Sequence, residues 1–546
     1  MAKTPLLRTL IEIAKTHARA DALGKPVEAV EEDRARAREL ATRRGVTRRT
    51  ILKGVAGAAA AAAIELPRSA RAQGAPRIAI VGAGIAGLNA ALTLADAGLA
   101  STVYESSGRI GGRMFSNSTY WNEGQVSEWG GELIDTGHKT MLALCRRFGL
   151  AVDDVLAGEP NGSELTLWFK GGYYRKSDAD KDFQPLWKAL QADVRAAGYP
   201  TTYDVSTPGG RLLANLSVYD WIESRVVGGH ASRLGALLDV AYACEYGADT
   251  RDQSSLNLVY LLGYQVKPGN FSIWGKSDER YHVRGGNDQV PHAIASALGS
   301  SVVTGHRLES LRLRADGTYD LSFRTNLGSK VVTADYVVLA LPFAALANVD
   351  LNAAGFDMLK HTAIQQLGRG KNGKVAVQLR DRFWRGTGSW PGVSNGETFS
   401  DLAYQSCWDV TRSQPGTSGI LVNYTAGART VAQRTAVPWG TIASRGVDAD
   451  VRAFFTDIDR VLPVVSTRWN GKATSSVPHL DPNLGLAYCY WKVGQPIQFA
   501  GYEGVRQGNV FFAGEHTSVD FQGWMEGGAE TGARAGNEIL TAIGRR

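Results

Sequence analysis

A chain of 546 residues that is 44% hydrophobic and 21% charged is longer than one ordinary domain and has the composition of a folded globular protein; its 63 glycines point to many tight turns. The net charge of +7 does not mark a nucleic-acid face, because residues 1–75 hold 15 of the 60 Lys+Arg and 8 of the 53 Asp+Glu, leaving 45 of each in the body. Cys145, Cys244, Cys407 and Cys489 lie far apart without a C-x-x-C pair, which excludes a zinc knuckle, a thioredoxin-type motif and a dense disulfide framework; they read as buried thiols, and no metal site is expected.

Residues 1–46 are rich in helix formers and include the charged run EEDRARAREL, which reads as a solvated helix face with no function assigned. Next come Thr47-Arg48-Arg49-Thr50-Ile51-Leu52-Lys53, the apolar stretch Gly54 to Leu66, and Ala70-Arg71-Ala72. The apolar stretch has 13 residues, too few to cross a bilayer core of roughly 30 Å as a helix, so no stable membrane span is expected. Residues 1–72 resemble a twin-arginine leader, which implies passage through the twin-arginine export machinery to the periplasm or outside. The alternative is an alanine-rich surface helix that follows two arginines.

The run RIAIV (Arg77 to Val81) is apolar and β-branched, and Gly82-Ala83-Gly84-Ile85-Ala86-Gly87 and the helical LNAALTLADAG follow at once. Such a strand, turn and helix suits a dinucleotide: Gly82 for the turn, Gly84 for approach of the pyrophosphate, Gly87 for helix–strand packing, and the helix N-terminus for the phosphate charge. A second strand, TVYE, ends in Glu105, whose carboxylate can accept both adenosine ribose hydroxyls, and Gly111-Gly112-Arg113 lies six residues on. The pattern GAGIAG(x17)E(x5)GGR resembles the FAD fingerprint of the glutathione-reductase-like flavoproteins.

Tyr281-His282-Val283-Arg284-Gly285-Gly286 and Ser301-Val302-Val303 resemble that family's return to the FAD domain. Leu308 to Arg314 and Tyr319 to Thr325 alternate and are joined through Asp316-Gly317, a hairpin pattern, and TADYVVLALP reads as a buried strand. At the C-terminal end, Val510-Phe511-Phe512-Ala513-Gly514-Glu515-His516-Thr517 reads as a strand entering a loop, and Gly523-Trp524-Met525-Glu526-Gly527-Gly528 opens a helix through Leu540. This resembles the second FAD motif of the flavin amine oxidases, which implies Glu515 near the ribityl and pyrophosphate and the helix N-terminus at Met525 by the flavin pyrimidine edge.

The expected fold is α/β, a Rossmann-type, glutathione-reductase-like FAD-binding domain (73–150, 276–345, 476–546) with a discontinuous α+β substrate domain (151–275, 346–475). Cofactor contacts are expected from Gly82, Gly84, Ile85, Ala86, Gly87, Glu105, Gly111, Gly112, Arg113, Gly131, Glu132, Val303, Gly514, Glu515, Gly523, Trp524 and Met525.

The resemblance to monoamine and polyamine oxidases runs from residue 76 on and implies three residues at the flavin. Lys374, in GKNGKVAVQLRDRFW, matches the lysine that holds a water against flavin N5, with Lys371 as the competing register. Tyr488 in LGLAYCYW and Trp524 in FQGWMEGG match the aromatic pair that sandwiches the amine, where core packing is the commoner fate of an aromatic ring. Ala487 stands where covalently flavinylated relatives carry cysteine, and Cys489 is two positions off, which implies noncovalent FAD. Asp135 in EWGGELIDTGH aligns with a position lining the amine tunnel of polyamine oxidases; the other reading is a helix cap near Thr136.

The implied reaction is hydride transfer from a neutral amine to flavin N5, giving an imine that hydrolyses to a carbonyl compound, with O2 as acceptor and H2O2 as product. Amino-acid oxidases of this fold carry a carboxylate-clamping arginine two residues after the GGR, where this chain has Phe115. The alternatives are an L-amino acid oxidase with a rearranged clamp, a carbon–carbon desaturase and a secreted non-catalytic flavin-binding module; the chain is also a candidate homodimer.

Overall fold

The computed structural model describes residues 75–265, 271–390 and 392–545, so the leader lies outside the described residues. The run Ile78–Val81 is a strand with all four residues buried. Ile78 and Ile80 pack into one apolar cluster and Ala79 and Val81 into another, so the strand is covered on both faces. That is why its sequence is continuously apolar instead of alternating. It pairs in parallel with Thr102–Tyr104 on one side and Tyr336–Leu339 on the other. Val510–Phe512 and Val302–Val303 complete a five-stranded sheet, joined in parallel throughout. This is the α/β sheet expected from the glycine motif.

Helix Ile85–Asp96 follows the first strand, and the C-terminal helix Met525–Ala542 lies against it. Gly528, Gly532 and Gly536, four residues apart, form one stripe on the second helix. A Cβ at Gly528 would meet Ile85 Cγ2 at 2.8 Å, one at Gly532 Ala86 O at 2.2 Å, and one at Gly536 Thr93 Cβ at 2.9 Å. The two helices therefore approach through a row where side chains would not fit.

The hairpin expected around Asp316-Gly317 is present: Arg307–Leu313 and Tyr319–Thr325 are antiparallel, and Gly328–Ala334 adds a third strand. Tyr281–Val283 pairs with Val152–Asp154. The four cysteines are buried and unpaired with one another.

An eight-stranded mixed sheet carries Trp439–Thr441, Trp469–Ser476, Asn372–Leu379, Gly419–Ala426, Ser406–Asp409, Val393–Ser400, Ser163–Phe169 and Gly172–Tyr173 in that order. Alternation sorts its central strand: Val375, Val377 and Leu379 face helix Val447–Val461. That helix repeats Val447, Val451, Phe454, Phe455, Ile458 and Val461 at helical spacing, so one stripe covers the sheet. Lys374, on the other phase of the strand, faces away from this core.

Candidate active site

The two glycine motifs close on each other. Gly84 bridges to Gly111, and Gly111 N–H donates to Ala83 O at 2.8 Å. Gly82 has φ +104, reserved in practice for glycine, and a Cβ there would strike Ala340 O at 2.8 Å. A Cβ at Gly87 would sit 1.9 Å from Gly82 O, whereas one at Gly84 would meet nothing within 4 Å. The three glycines thus serve the turn, the packing and an open approach.

A cavity of about 190 Å³ opens at this point. It is lined by Gly82, Gly84, Ile85, Ala86, Glu105, Gly111, Gly112 and Arg113 from the N-terminal part and by Gly131, Gly514, Glu515, Gly523, Trp524 and Met525. Glu105 Oε2 accepts from Ala83 N–H at 2.9 Å, and Oε1 accepts from Ser107 N–H at 2.9 Å. Arg113 ties the two motifs: its Nη1 donates to Glu515 Oε1 at 2.7 Å and to Ala487 O at 3.1 Å. Glu515 Oε2 takes the Gly523 N–H at 2.7 Å. Burial raises the Glu515 carboxyl, but the Arg113 charge together with the hydrogen bonds from Arg113 and Gly523 N–H holds the group below its usual range.

Arg113, Gly131, Ala487, Tyr488, Gly523, Trp524 and Met525 also line a second cavity of about 430 Å³, so the two spaces are contiguous. One cross-strand row supplies much of its wall. Trp439 pairs with Ser476, Ser476 with Lys374, Lys374 with Tyr424, Tyr424 with Ser406 and Ser406 with Phe399. Residues opposite one another in such a ladder share a face, and all six line the cavity.

Lys374 Nζ donates to Glu132 Oε2 at 2.8 Å and to Gly130 O at 2.9 Å, while Trp408 Nε1 donates to Glu132 Oε1 at 2.8 Å. Burial raises the Glu132 carboxyl, yet the Lys374 charge and these hydrogen bonds leave it below the ordinary value. Lys371 is exposed, so of the two registers only Lys374 reaches the cavity. The Tyr488 hydroxyl donates to Cys244 O at 2.9 Å and lies 2.9 Å from the Tyr424 hydroxyl. Burial pushes that hydroxyl far up, so it remains neutral. The Trp524 ring leans edge-on against His138, with centroids 5.1 Å apart.

Three expected residues fall elsewhere. Gly87 packs against the turn, and Val303 belongs to the edge strand, where its carbonyl accepts from Glu105 N–H at 2.8 Å; neither lines a cavity. Asp135 does not line the larger cavity either, and it caps no helix at Thr136, since the helix there is Lys139–Arg147 with His138 as N-cap. Its carboxylate accepts from Ser277 Oγ at 2.8 Å and from Glu279 N–H at 2.9 Å. Glu279, two residues along from that serine, is the acid that faces the cavity.

Sequence reasoning also missed Glu245, Glu397, Arg412, Trp408 and Tyr424, which line the larger cavity, and Ala340, Leu341 and Pro342, which line the smaller. The last three carried a usable signal, because ligands of parallel sheets bind beyond the carboxyl ends of the strands, and these residues follow Tyr336–Leu339. The others belong to no motif.

The smaller cavity fits a dinucleotide: a glycine with open space before a helix N-terminus, a carboxylate after the second strand, and a second helix N-terminus at Met525. Gly84→Val is expected to leave a folded protein without flavin absorbance, since its side chain enters the open space. Gly87→Val is expected to lower the melting temperature, because overpacking of this kind costs about 1–3 kcal/mol. Absorbance spectra and thermal melts of the two variants check both outcomes.

Comparisons with known proteins agree with this architecture. Residues 85–540 match the family model of the flavin containing amine oxidoreductases. The chain is 24% identical over 494 residues to a flavin-containing amine oxidase of Danio rerio, covering 86% of each chain. It is likewise 24% identical over 491 residues to an L-amino-acid oxidase of Siganus canaliculatus, covering 85% of each. Among solved structures, the cyclohexylamine oxidase of Brevibacterium oxydans IH-35A superposes with a TM-score of 0.72 at 19% identity, covering 86% of this chain and 100% of that one. The fold, the paired glycine motifs and a match over most of the described body together show that this chain belongs to the flavin-containing amine oxidoreductase family.

Proposed function

We propose that the chain oxidises the carbon–nitrogen bond of an amine that carries no carboxylate, using noncovalently held FAD. The observation that carries this reading is the charge state of the larger cavity. Each of the four cations among its described lining residues is ion-paired: Arg113 with Glu515, Lys176 with Asp180, Lys374 with Glu132 and Arg412 with Glu159. A carboxylate clamp needs a cation free to fork onto the substrate, and none is present among the described lining residues. Phe115, at the position of the expected clamp, packs instead against Trp129 and Trp439, with ring centroids 6.0 and 5.6 Å apart.

Bound FAD would accept the hydride from the substrate α-carbon and pass two electrons to dioxygen, yielding hydrogen peroxide. The chain's own residues do the rest. Tyr488 and Trp524 line the substrate space and exclude water, and they receive the amine in its neutral form. Loss of the hydride and of one N–H proton leaves an imine, which water hydrolyses to a carbonyl compound. Ala487 offers no nucleophile, and burial pushes the neighbouring Cys489 thiol far above its ordinary value, so neither side chain supports a thioether bond. Export through the twin-arginine pathway belongs to the same proposal and rests on the leader's sequence.

Anaerobic bleaching of the flavin band by amines, and not by L-amino acids of equal side chain, tests the reading. Bleaching by amino acids alone would overturn it. The reductive rate is expected to rise with pH through the pKa of the bound substrate's ammonium, because only the deprotonated amine has the lone pair that the oxidation requires.

A further inference from the structure

Strand Ser116–Asn117 pairs antiparallel with Ser127–Glu128, and Ser116 stands opposite Glu128. The residues just outside that pair, Phe115 and Trp129, are therefore opposite as well, and Trp129 N–H donates to Phe115 O at 2.9 Å. Their rings stack with centroids 6.0 Å apart and planes 26° apart. Trp439, from the edge strand of the eight-stranded sheet, meets both rings edge-on, Phe115 at 5.6 Å and Trp129 at 6.4 Å. The Phe115 ring also carries the Arg109 guanidinium, 4.0 Å from its centroid. The glycine turn holds Arg109 in that place, because its Nη1 donates to Ile110 O at 3.2 Å and to Gly112 O at 2.9 Å.

These side chains belong to different spaces. Arg109 lines the smaller cavity, Trp129 and Trp439 line the larger one, and Phe115 lines neither. A second contact crosses back, since Trp439 Nε1 donates to Asp481 Oδ2 at 3.3 Å and Asp481 lines the smaller cavity. Burial lowers the Arg109 guanidinium from its ordinary value, and the Asp481 charge is the first to oppose that. Arg109, Phe115, Trp439 and Asp481 thus make a closed circuit that passes from one cavity to the other and returns. Trp439 also ends the ladder row that holds Ser476, Lys374 and Tyr424, and Ser476 Oγ donates to Trp129 O at 2.5 Å. The circuit is therefore joined to the wall that presents Lys374.

We propose that Phe115 is a positioning residue that couples the two cavities, so that a nucleotide set against Arg109 and Asp481 fixes Trp129 and Trp439 in the wall that receives the substrate. This goes beyond the amine-oxidase reading and rests on it for the substrate arm of the test alone. A ring that must meet a guanidinium, one stacked indole and one edge-on indole at once has few arrangements that satisfy all three. Fixing the guanidinium from the nucleotide side thereby restricts the indoles. Coupling between two binding events is reciprocal, so an occupant that fixes the indoles tightens the hold on the nucleotide by the same factor.

The test reads each cavity through a residue of the other. Trp439 lines only the larger cavity, yet the Trp439→Phe apoprotein is expected to bind FAD roughly 5-fold more weakly, as titration of flavin fluorescence would show. Arg109 lines only the smaller cavity, and Arg109→Lys keeps the charge while losing the planar face on Phe115. With that variant saturated in FAD, KM for benzylamine is expected to rise roughly 5-fold and kcat to fall less. Phe115→Leu should produce both changes, and Phe115→Tyr, which keeps the ring, should produce neither. Residues with a purely local role act on their own cavity, so the absence of either cross-effect overturns the coupling.

A second measurement does not depend on catalysis. In the apoprotein that carries both Phe115→Leu and Trp439→Phe, FAD affinity is expected to fall by less than the product of the two single effects, because both substitutions break the same path. A fall equal to that product overturns the proposal. Where Phe115→Leu does not fold, Trp439→Phe and Arg109→Lys still decide. If benzylamine does not reduce the flavin, that failure belongs to the oxidase reading, and the FAD titrations alone settle whether Phe115 joins the cavities.

Discussion

Lys374→Met is expected to abolish turnover and to destabilise the protein by about 3–5 kcal/mol, the usual cost of removing one partner from a buried ion pair. The ammonium is the counter-charge of Glu132, and both groups are buried in the wall of the larger cavity. Without it, Glu132 keeps among the described residues only Trp408 Nε1 as a donor, and burial drives its carboxyl upward where it is now held down. The sign of the pH dependence then reverses. In the wild type a lowered pKa makes this carboxylate stabilising at pH values above its ordinary 4.5, an effect lost as pH falls through the lowered value. In the variant the raised pKa stabilises below 4.5 and is lost as pH rises. The stability deficit is therefore expected to be largest near neutrality and to shrink toward pH 4, as chemical denaturation across that range would show. Adding Glu132→Gln removes the orphaned charge; the double variant should recover most of the stability without recovering turnover. Recovery of both would mean that Lys374 serves only the fold.

Arg113→Ala is the second large effect. The guanidinium joins Glu515 and the Ala487 carbonyl, so one side chain connects the first glycine motif, the second motif and the segment that carries Tyr488. Its removal leaves Glu515, buried and charged, with the Gly523 N–H. The expected cost is again about 3–5 kcal/mol. Because Arg113 lines both cavities, the variant is also expected to purify without flavin and to fail to take it up when FAD is added. Arg113→Lys retains the charge and should recover part of both properties. Retention of normal flavin content by Arg113→Ala would show that the two motifs hold the nucleotide independently of this pair.

The positions most legible in the sequence are those whose task is local. Gly82 and Gly87 are glycines because a Cβ would meet the Ala340 carbonyl in one case and the Gly82 carbonyl in the other. Both collisions arise within a strand–turn–helix unit or at its immediate neighbour, so the spacing alone carries the information. The strand Tyr336–Leu339 was legible for a related reason, since a doubly covered parallel strand shows as an uninterrupted apolar run. Lys374 was legible through its place before an apolar strand, and the ladder that puts Ser476 and Tyr424 beside it was not.

The acids of the substrate space were the least legible. Asp135 lies in a segment that resembles a tunnel wall, yet its carboxylate turns toward Ser277 and Glu279, and sequence spacing has no means of reporting that direction. Glu279 occupies a turn without a motif, and Glu245 and Glu397 are isolated acids on a helix and a strand.

What the sequence by itself determined is the nucleotide half of this protein: a parallel sheet with a glycine turn, an acid after the second strand, and a second helix that returns to the first. These depend on backbone conformations and close packings that particular residues impose wherever they occur. What only the tertiary structure decided is the charge of the substrate cavity. That charge depends on which side chains of a helix, a turn and three strands, distant in the chain, come to share one enclosed space and which of them find counter-ions there. A carboxylate is a solvated surface group in one arrangement and part of a cavity wall in another, and the strand register and the Asp135 hydrogen bonds make the choice.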